Sequence, residues 1–188
     1  MRIIGGTHRG RNLITPKGRS VRPTSDRARE SIFNMLDNGF EDIDLKDASV
    51  LDVFSGSGAF GLEALSRGAA HATLIDNSPQ ALAAAKENAA ILGEWRRVRQ
   101  IKLDATKLPP PPRAARCPAS IAFLDPPYEQ DLILPALLGM HGKGWITKGS
   151  LCIVEISTRE EFEPPTGYTL VDDRKYGAAR VLFLIRNK

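Results

Sequence analysis

The stretch VLDVFSGSGAFG, residues 50–61, decides the fold. Its apolar first half reads as a buried strand, ASVLDVF over 48–54. Gly56, Gly58 and Gly61 then form a G-x-G-x-x-G turn, and FGLEALSR reads as a short helix stopped by Gly68. Glycines at this spacing permit a tight turn and let backbone N–H groups approach a ligand closely. Taken alone, the pattern also fits an ordinary strand-to-helix turn or an NAD-binding loop.

Working outward, the same alternation repeats. HATLID (71–76) is a strand, and Ser78-Pro79 caps and starts an alanine-rich helix that ends near Gly93. VRQIKLD is the next strand, LPPPPRAARCP a solvent-exposed loop, and ASIAFLD (119–125) an apolar strand running into Pro-Pro-Tyr. DLILPALLG reads as a helix weakened by Pro135, GMHGKGWITKG as a glycine-rich turn region, and LCIVEI as a strand. YTLVDDRKYG and ARVLFLIR read as a closing antiparallel pair around Gly177. Upstream, TSDRARESIFNMLDN is a helix with Thr24 or Ser25 at its cap and Ala28, Ile32, Met35 and Leu36 on one face. Strands alternating with helices imply a mostly parallel sheet covered on both faces, with ligands at the carboxyl ends of the strands. The sequence predicts one α/β domain over 1–188, divided into a basic N-terminal arm (1–22) and a catalytic core (23–188).

Composition narrows the class. Hydrophobic residues at 42% and charged residues at 26% are ordinary for a soluble globular chain, and no apolar run approaches membrane-spanning length. MRIIGGTHRG lacks the apolar core of a signal peptide, so a cytoplasmic location is expected. Cys152, inside LCIVEI, reads as a reduced core residue, and His8, His71 and His141 are too scattered for a zinc site; no metal is expected. The net charge of +4 is unevenly placed: residues 1–29 hold eight Arg or Lys against Asp26, a net of +7, and the remainder nets −3. The glycines and apolar residues of IIGGTHRGRNL (3–13) favour an ordered β-hairpin arm over a solvated tail, with Arg9 and Arg11 placed to contact phosphates.

Two acidic strand ends and one motif carry the chemistry. Asp76 ends its strand 20 residues after Gly56, where a carboxylate accepts hydrogen bonds from ribose hydroxyls. Asp104, in KLDA, can face the amino group of an adenine. Asp125-Pro126-Pro127-Tyr128 follows an apolar strand directly, and its two prolines fix φ and remove two donors, leaving a stiff loop rich in acceptors. The amino nitrogen of a nucleobase is a poor nucleophile because its lone pair is delocalised into the ring. A carboxylate and a backbone carbonyl can accept its two N–H bonds and direct the lone pair at an electrophile, while Tyr128 stacks on the base. A sulfonium methyl donor needs such positioning more than a strong base.

IIGGTHRGRNL, RPTSDRARESIFN, VLDVFSGSGAFGLEALSRGA, the helix with Asn88, FLDPPY and YGAARVLFL together resemble the bacterial small-subunit (16S) rRNA guanine-N2 methyltransferase family, RsmD. The resemblance implies a Rossmann-like class I methyltransferase with a seven-stranded, mostly parallel sheet and an antiparallel terminal hairpin. It implies S-adenosylmethionine (SAM) as cofactor and guanine N2 of 16S rRNA, free or in the assembling small subunit, as target, acted on by a monomer. By that resemblance the cofactor set is Phe54, Gly56, Gly58, Asp76, Asn77, Asp104 and Ala105, and the catalytic set is Asp125, Pro126 and Tyr128. Arg22, Thr24 and Arg27 would line the cleft beside Arg9 and Arg11. VEIS at 154–157 departs from the VEH expected there. Other readings are an adenine-N6 or cytosine-N4 DNA methyltransferase, for which 188 residues leave little room to read sequence, an NAD-dependent oxidoreductase, which leaves Asp-Pro-Pro-Tyr unexplained, and an assembly factor that holds SAM without turnover.

Overall fold

The computed structural model describes residues 1–15, 26–38, 40 and 42–187. The elements in order are α1 (Asp26–Asn38), β1 (Ser49–Val53), α2 (Ala59–Ser66), β2 (His71–Asp76), α3 (Pro79–Ile91), β3 (Val98–Lys102), β4 (Ala119–Leu124), α4 (Ile133–Lys143), β5 (Ile146–Ser157), β6 (Tyr168–Tyr176) and β7 (Ala179–Arg186). Among the described residues the strands form one sheet in the order β3-β2-β1-β4-β5-β7-β6. β1 to β5 run parallel, and β7 lies antiparallel to both β5 and β6. The expected α/β sheet and its antiparallel terminal hairpin are present.

The sheet is buried on both faces, which is why its central strands read as continuous apolar runs. Period-two alternation divides them between two cores. Val50, Ile121 and Phe123 face α1 to α3, where Phe60 stacks on Phe123 at 4.8 Å and Phe33 lies 5.6 Å from Phe123. Leu51, Ala122 and Leu124 face α4, with Trp145, Leu137 and Met140. Because β2 pairs with one side of β1 and β4 with the other, the connections from their carboxyl ends depart to opposite faces and leave a crevice between them.

Two local expectations change in three dimensions. α4 runs through Gly139 and Gly142 to Lys143, and the strand after it starts at Ile146, so the glycine-rich stretch is not a turn region. Burial of Ile133, Ala136, Leu137 and Met140 holds the helix across both glycines; the terminating glycine is Gly144, left-handed at φ 80°. Pro135 does no harm, because in the first turn its missing N–H would have had no intrahelical partner.

The N-terminal segment does reverse on itself, but only Arg2 and Asn12 form a bridge, with a 3-10 turn at Gly6–His8. Backbone bonds cross the reversal, from Ile3 N–H to the Arg11 carbonyl at 2.9 Å, Gly10 N–H to the Ile3 carbonyl at 2.8 Å and Leu13 N–H to the Met1 carbonyl at 2.9 Å, while other polar groups turn to the core. Ile4 and Gly5 N–H donate to the fully buried Glu63 carboxylate at 2.7 Å each, and His8 N–H donates to Ser66 Oγ at 2.9 Å. Asn88 anchors the returning leg: its Oδ1 accepts from Ile14 N–H at 2.7 Å, and its Nδ2 donates to the carbonyls of Ile14 and Ser57 at 2.9 and 3.0 Å.

Asn88 therefore ties the arm to the glycine loop from a fully buried position. Asn88→Ala strands these backbone groups and is expected to cost about 1–3 kcal/mol. Urea unfolding should show a lower midpoint, and limited trypsin digestion should cut faster at Arg9 and Arg11.

Candidate active site at the carboxyl edge of the sheet

The glycine loop is shaped by its contacts with β2. After Val53 the backbone enters the left-handed region at Phe54, φ 64°, a strained conformation for a non-glycine residue. Ser55 N–H donates to the Ile75 carbonyl at 2.9 Å, and Gly56 N–H donates to Asp76 Oδ2 at 2.9 Å. The other Asp76 oxygen accepts from Ser78 N–H at 2.8 Å. Gly58, at φ 79°, begins α2, and a Cβ there would come within 2.9 Å of Leu74. At Gly61 a Cβ would lie 2.4 Å from the other Leu74 methyl, so α2 can rest on β2 only without a side chain at that position.

Asp52 lies beneath the loop. It is buried in β1 and accepts a hydrogen bond from Gly61 N–H at 3.0 Å. Burial pushes its carboxyl up to about 8, against the smaller opposing effect of the Gly61 hydrogen bond. Asp104, at the end of the β3 segment, is exposed and caps a 3-10 turn by accepting from Thr106 N–H and Oγ1–H. Those two hydrogen bonds hold its carboxyl below the usual range.

Opposite the glycine loop, Asp125-Pro126-Pro127-Tyr128 leaves the end of β4. Asp125 and Tyr128 are half-buried, and Tyr128 Oη–H donates to Glu155 Oε1 at 2.7 Å. Glu155 is buried on β5, within the VEIS segment. Glu129 and Asp131, just beyond, have φ of 60° and 52°, two left-handed residues that restrict the turn further.

These segments enclose one cavity of about 490 Å³, within the usual range for small-molecule sites. It is lined by Phe54, Gly56, Asp76, Asn77, Asp104 and Ala105 on the loop side and by Asp125, Pro126 and Tyr128 on the other. Gly58 shapes the turn without lining the cavity. Arg9, Arg11 and Arg27 are exposed outside it, and Arg22 and Thr24 lie outside the described residues.

Sequence reasoning missed four contributors. Met1 and Thr15 reach the cavity because the arm packs beside it. Asp52 was legible as an acid within an apolar strand. Arg29 had no such signal; it is 1% exposed, lines the cavity, and donates to the Arg2 carbonyl at 2.6 Å and to Asp26 at 3.1 Å. Among the described residues no cluster of three or more His, Cys, Asp or Glu could hold a metal ion, and no helix is long and apolar enough to cross a membrane.

The family model described as "Conserved hypothetical protein 95" matches residues 1–185. The chain belongs to that family, which is also that of the RsmD methyltransferases. It is 38% identical over 157 residues to the ribosomal RNA small subunit methyltransferase D of Escherichia coli (strain K12), covering 82% of this chain and 74% of that one. It is 35% identical over 183 residues to the putative rRNA methyltransferase YlbH of Bacillus subtilis (strain 168), covering 96% of each. Among solved structures, the putative methyltransferase yhhF from Escherichia coli superposes with a TM-score of 0.81 at 34% identity, over 100% of this chain and 98% of that one.

The family's methyltransferases imply SAM as the cofactor, and the cavity fits it. Gly56, at φ 53°, has no atom within 4 Å of where a Cβ would stand, so the loop leaves open room above it. Ser55 Oγ is buried there with no partner among the described residues. Arg29 supplies a cation and Asp76 an anion to the same space.

Asp52 gives this site a pH signature. Its folded value of about 8 lies above the 3.8 of a free aspartate, so the folded state holds a proton that the unfolded chain gives up. Its contribution to stability is complete below 3.8 and is lost as pH rises through about 8. Asp52→Asn should flatten that part of the profile. Urea midpoints of the two proteins, measured below and above this window, provide the check.

Proposed function

We propose that this chain transfers the methyl group of SAM to the exocyclic N2 amine of a guanine in small-subunit (16S) rRNA. rRNA methylation is the activity named for its relatives; the guanine N2 target is our reading of the site. The observation that carries it is the meeting of the glycine loop and Asp76 with Asp125-Pro-Pro-Tyr128 in one cavity.

Bound SAM supplies an electrophilic sulfonium methyl. The chain's own residues do the rest. Asp76 accepts from the ribose hydroxyls while still bonding Gly56, so cofactor and loop share one carboxylate. Asn77, Asp104 and Ala105 bound the adenine side, and Phe54 closes over it. Arg29 pairs with the methionine carboxylate. Asp125 and the Pro126 carbonyl accept hydrogen bonds from the two N–H groups of the guanine amine and aim its lone pair at the methyl group, and Asp125 receives the proton the nitrogen releases once methylated. Tyr128 stacks on the base, and Glu155 fixes the plane of its ring by accepting from its hydroxyl. A base from an rRNA helix must be turned out of its stack to enter. Arg9, Arg11 and Arg27, with Arg22 and Thr24, hold the surrounding backbone.

Single-turnover methylation of 16S rRNA or small subunits, followed by nucleoside analysis, tests this reading. N2-methylguanosine is the expected product, and N6-methyladenosine would assign the chain to a different target. Asp125→Ala should lower the rate by orders of magnitude with little change in SAM affinity, since it removes an acceptor used at the reacting nitrogen. Tyr128→Ala should lose stacking worth about 1–3 kcal/mol. Tyr128→Phe should fall between Ala and wild type, because it keeps the ring but removes the hydrogen bond to Glu155.

Calorimetry tests the cofactor roles separately. Asp76→Ala should weaken SAM binding by about 1–3 kcal/mol. Arg29→Met should weaken binding of S-adenosylhomocysteine but not of 5′-methylthioadenosine, which has no carboxylate. An equal loss for both ligands would make Arg29 a structural residue only.

A further inference from the structure

Outside the cavity, the turn that follows α3 carries an unusual side chain. Trp95 is 60% exposed there, the most exposed large hydrophobic side chain among the described residues. It occupies a tight turn closed by Arg97 N–H on the Glu94 carbonyl at 2.8 Å, and the Arg96 guanidinium lies 4.8 Å from its ring centroid. Ile91, at the end of α3, is 48% exposed. The next strand adds exposed Arg99 and Lys102, so residues 94–102 hold four basic side chains against the single acid Glu94.

Glu94 is committed to contacts inside the protein. Its carboxylate bonds Arg97, and it accepts from His8 Nε2 at 2.7 Å, the residue at the tip of the N-terminal arm. That bond places Arg9 next to one partner and Trp95 next to the other. The arm in turn begins at Met1 and returns at Thr15, both lining the cavity. Met1 and His8 are seven residues apart, so the tip is at most about 25 Å from the cavity rim. A basic track with exposed Arg2, Arg9 and Arg11 along the arm thus ends on an aromatic ring with an arginine over it.

We propose that Trp95 and Arg96, with Arg9 and Arg11, form a second RNA-docking platform, on which an unpaired base of the substrate stacks while the target base occupies the cavity. A flat ring open to solvent beside clustered arginines is the chemistry that grips single-stranded RNA, by stacking and phosphate contact together. Four basic side chains against one committed acid over residues 94–102 favour a polyanion over a protein as the occupant. The proposal rests on the reading of rRNA as substrate and adds to it a contact remote from the reacting atoms.

The chain reports on this itself. Its other tryptophan, Trp145, is fully buried with Nε1–H donating to the Pro109 carbonyl at 2.6 Å, so tryptophan emission sensitive to added RNA belongs to Trp95. Titration of the chain with a short single-stranded oligoribonucleotide should quench that emission saturably. Trp95→Ala should weaken binding of the oligonucleotide and of 16S rRNA by roughly tenfold. Trp95→Phe should restore most of that affinity, and S-adenosylhomocysteine affinity should stay constant throughout. Unmoved emission on RNA binding, or wild-type RNA affinity in Trp95→Ala, would overturn the platform while leaving the rRNA reading intact. Quenching by ribosomal proteins but not by RNA would assign the surface to a protein and overturn it equally. Failure of the wild-type chain to bind 16S rRNA at all would instead remove the substrate reading on which the platform stands.

Discussion

The hydrogen bond from Gly56 N–H to Asp76 joins the ends of two neighbouring parallel strands at the point where the chain leaves the sheet. Parallel strands bring their carboxyl ends to one edge, and the connections from β1 and β4 depart to opposite faces. The gap this opens would be featureless without a means of holding the first loop back. Asp76 does so from below, with Ser78 N–H steadying its other oxygen, while Gly61 lets α2 sit directly on Leu74. The loop is thereby set before any ligand arrives, and a ligand need not be charged the entropy of ordering it.

The arm extends this logic outward. A short basic segment at a chain terminus would ordinarily be loose, yet this one is drawn against α2 and α3 by buried partners. Glu63, itself held by Arg67 at 2.9 Å, takes two of the arm's amides, and Asn88 takes both backbone groups of Ile14. Asn88 also holds the Ser57 carbonyl, so the arm and the glycine loop share a fastening. The described arginines of the arm, Arg2, Arg9 and Arg11, are thereby presented from a fixed frame.

On the other side, stiffness is achieved by different means. Two prolines and two left-handed residues leave the segment after β4 few conformations, and the Tyr128–Glu155 bond ties it to the neighbouring strand. The VEIS segment, which departs from the expected pattern at Ile156, still supplies the glutamate that matters here. Both walls of the cavity are therefore rigid, one through hydrogen bonds to backbone amides and one through restricted torsions.

The sequence by itself determined the element order, the β1-to-α2 turn, the acidic strand end at Asp76 and the Asp-Pro-Pro-Tyr segment. Each is a local property: apolar alternation, glycine spacing and proline restriction are written within a few residues of where they act. The Ser78 cap, with Ala81 N–H on its Oγ at 3.3 Å, is legible for the same reason. What the sequence could not decide were the matters settled by distant partners. Gly139 and Gly142 stay helical because α4 packs on the sheet, and Gly144 alone of these takes the left-handed conformation that ends it. The N-terminal reversal is fastened to the core because the amides of Ile4, Gly5 and His8 find Glu63 and Ser66, some 60 positions away. Arg29, Glu155 and Trp95 acquire their places only in three dimensions. Burial, hydrogen bonding to Tyr128 and proximity to the arm are properties of the packed chain, and no spacing in the sequence encodes them.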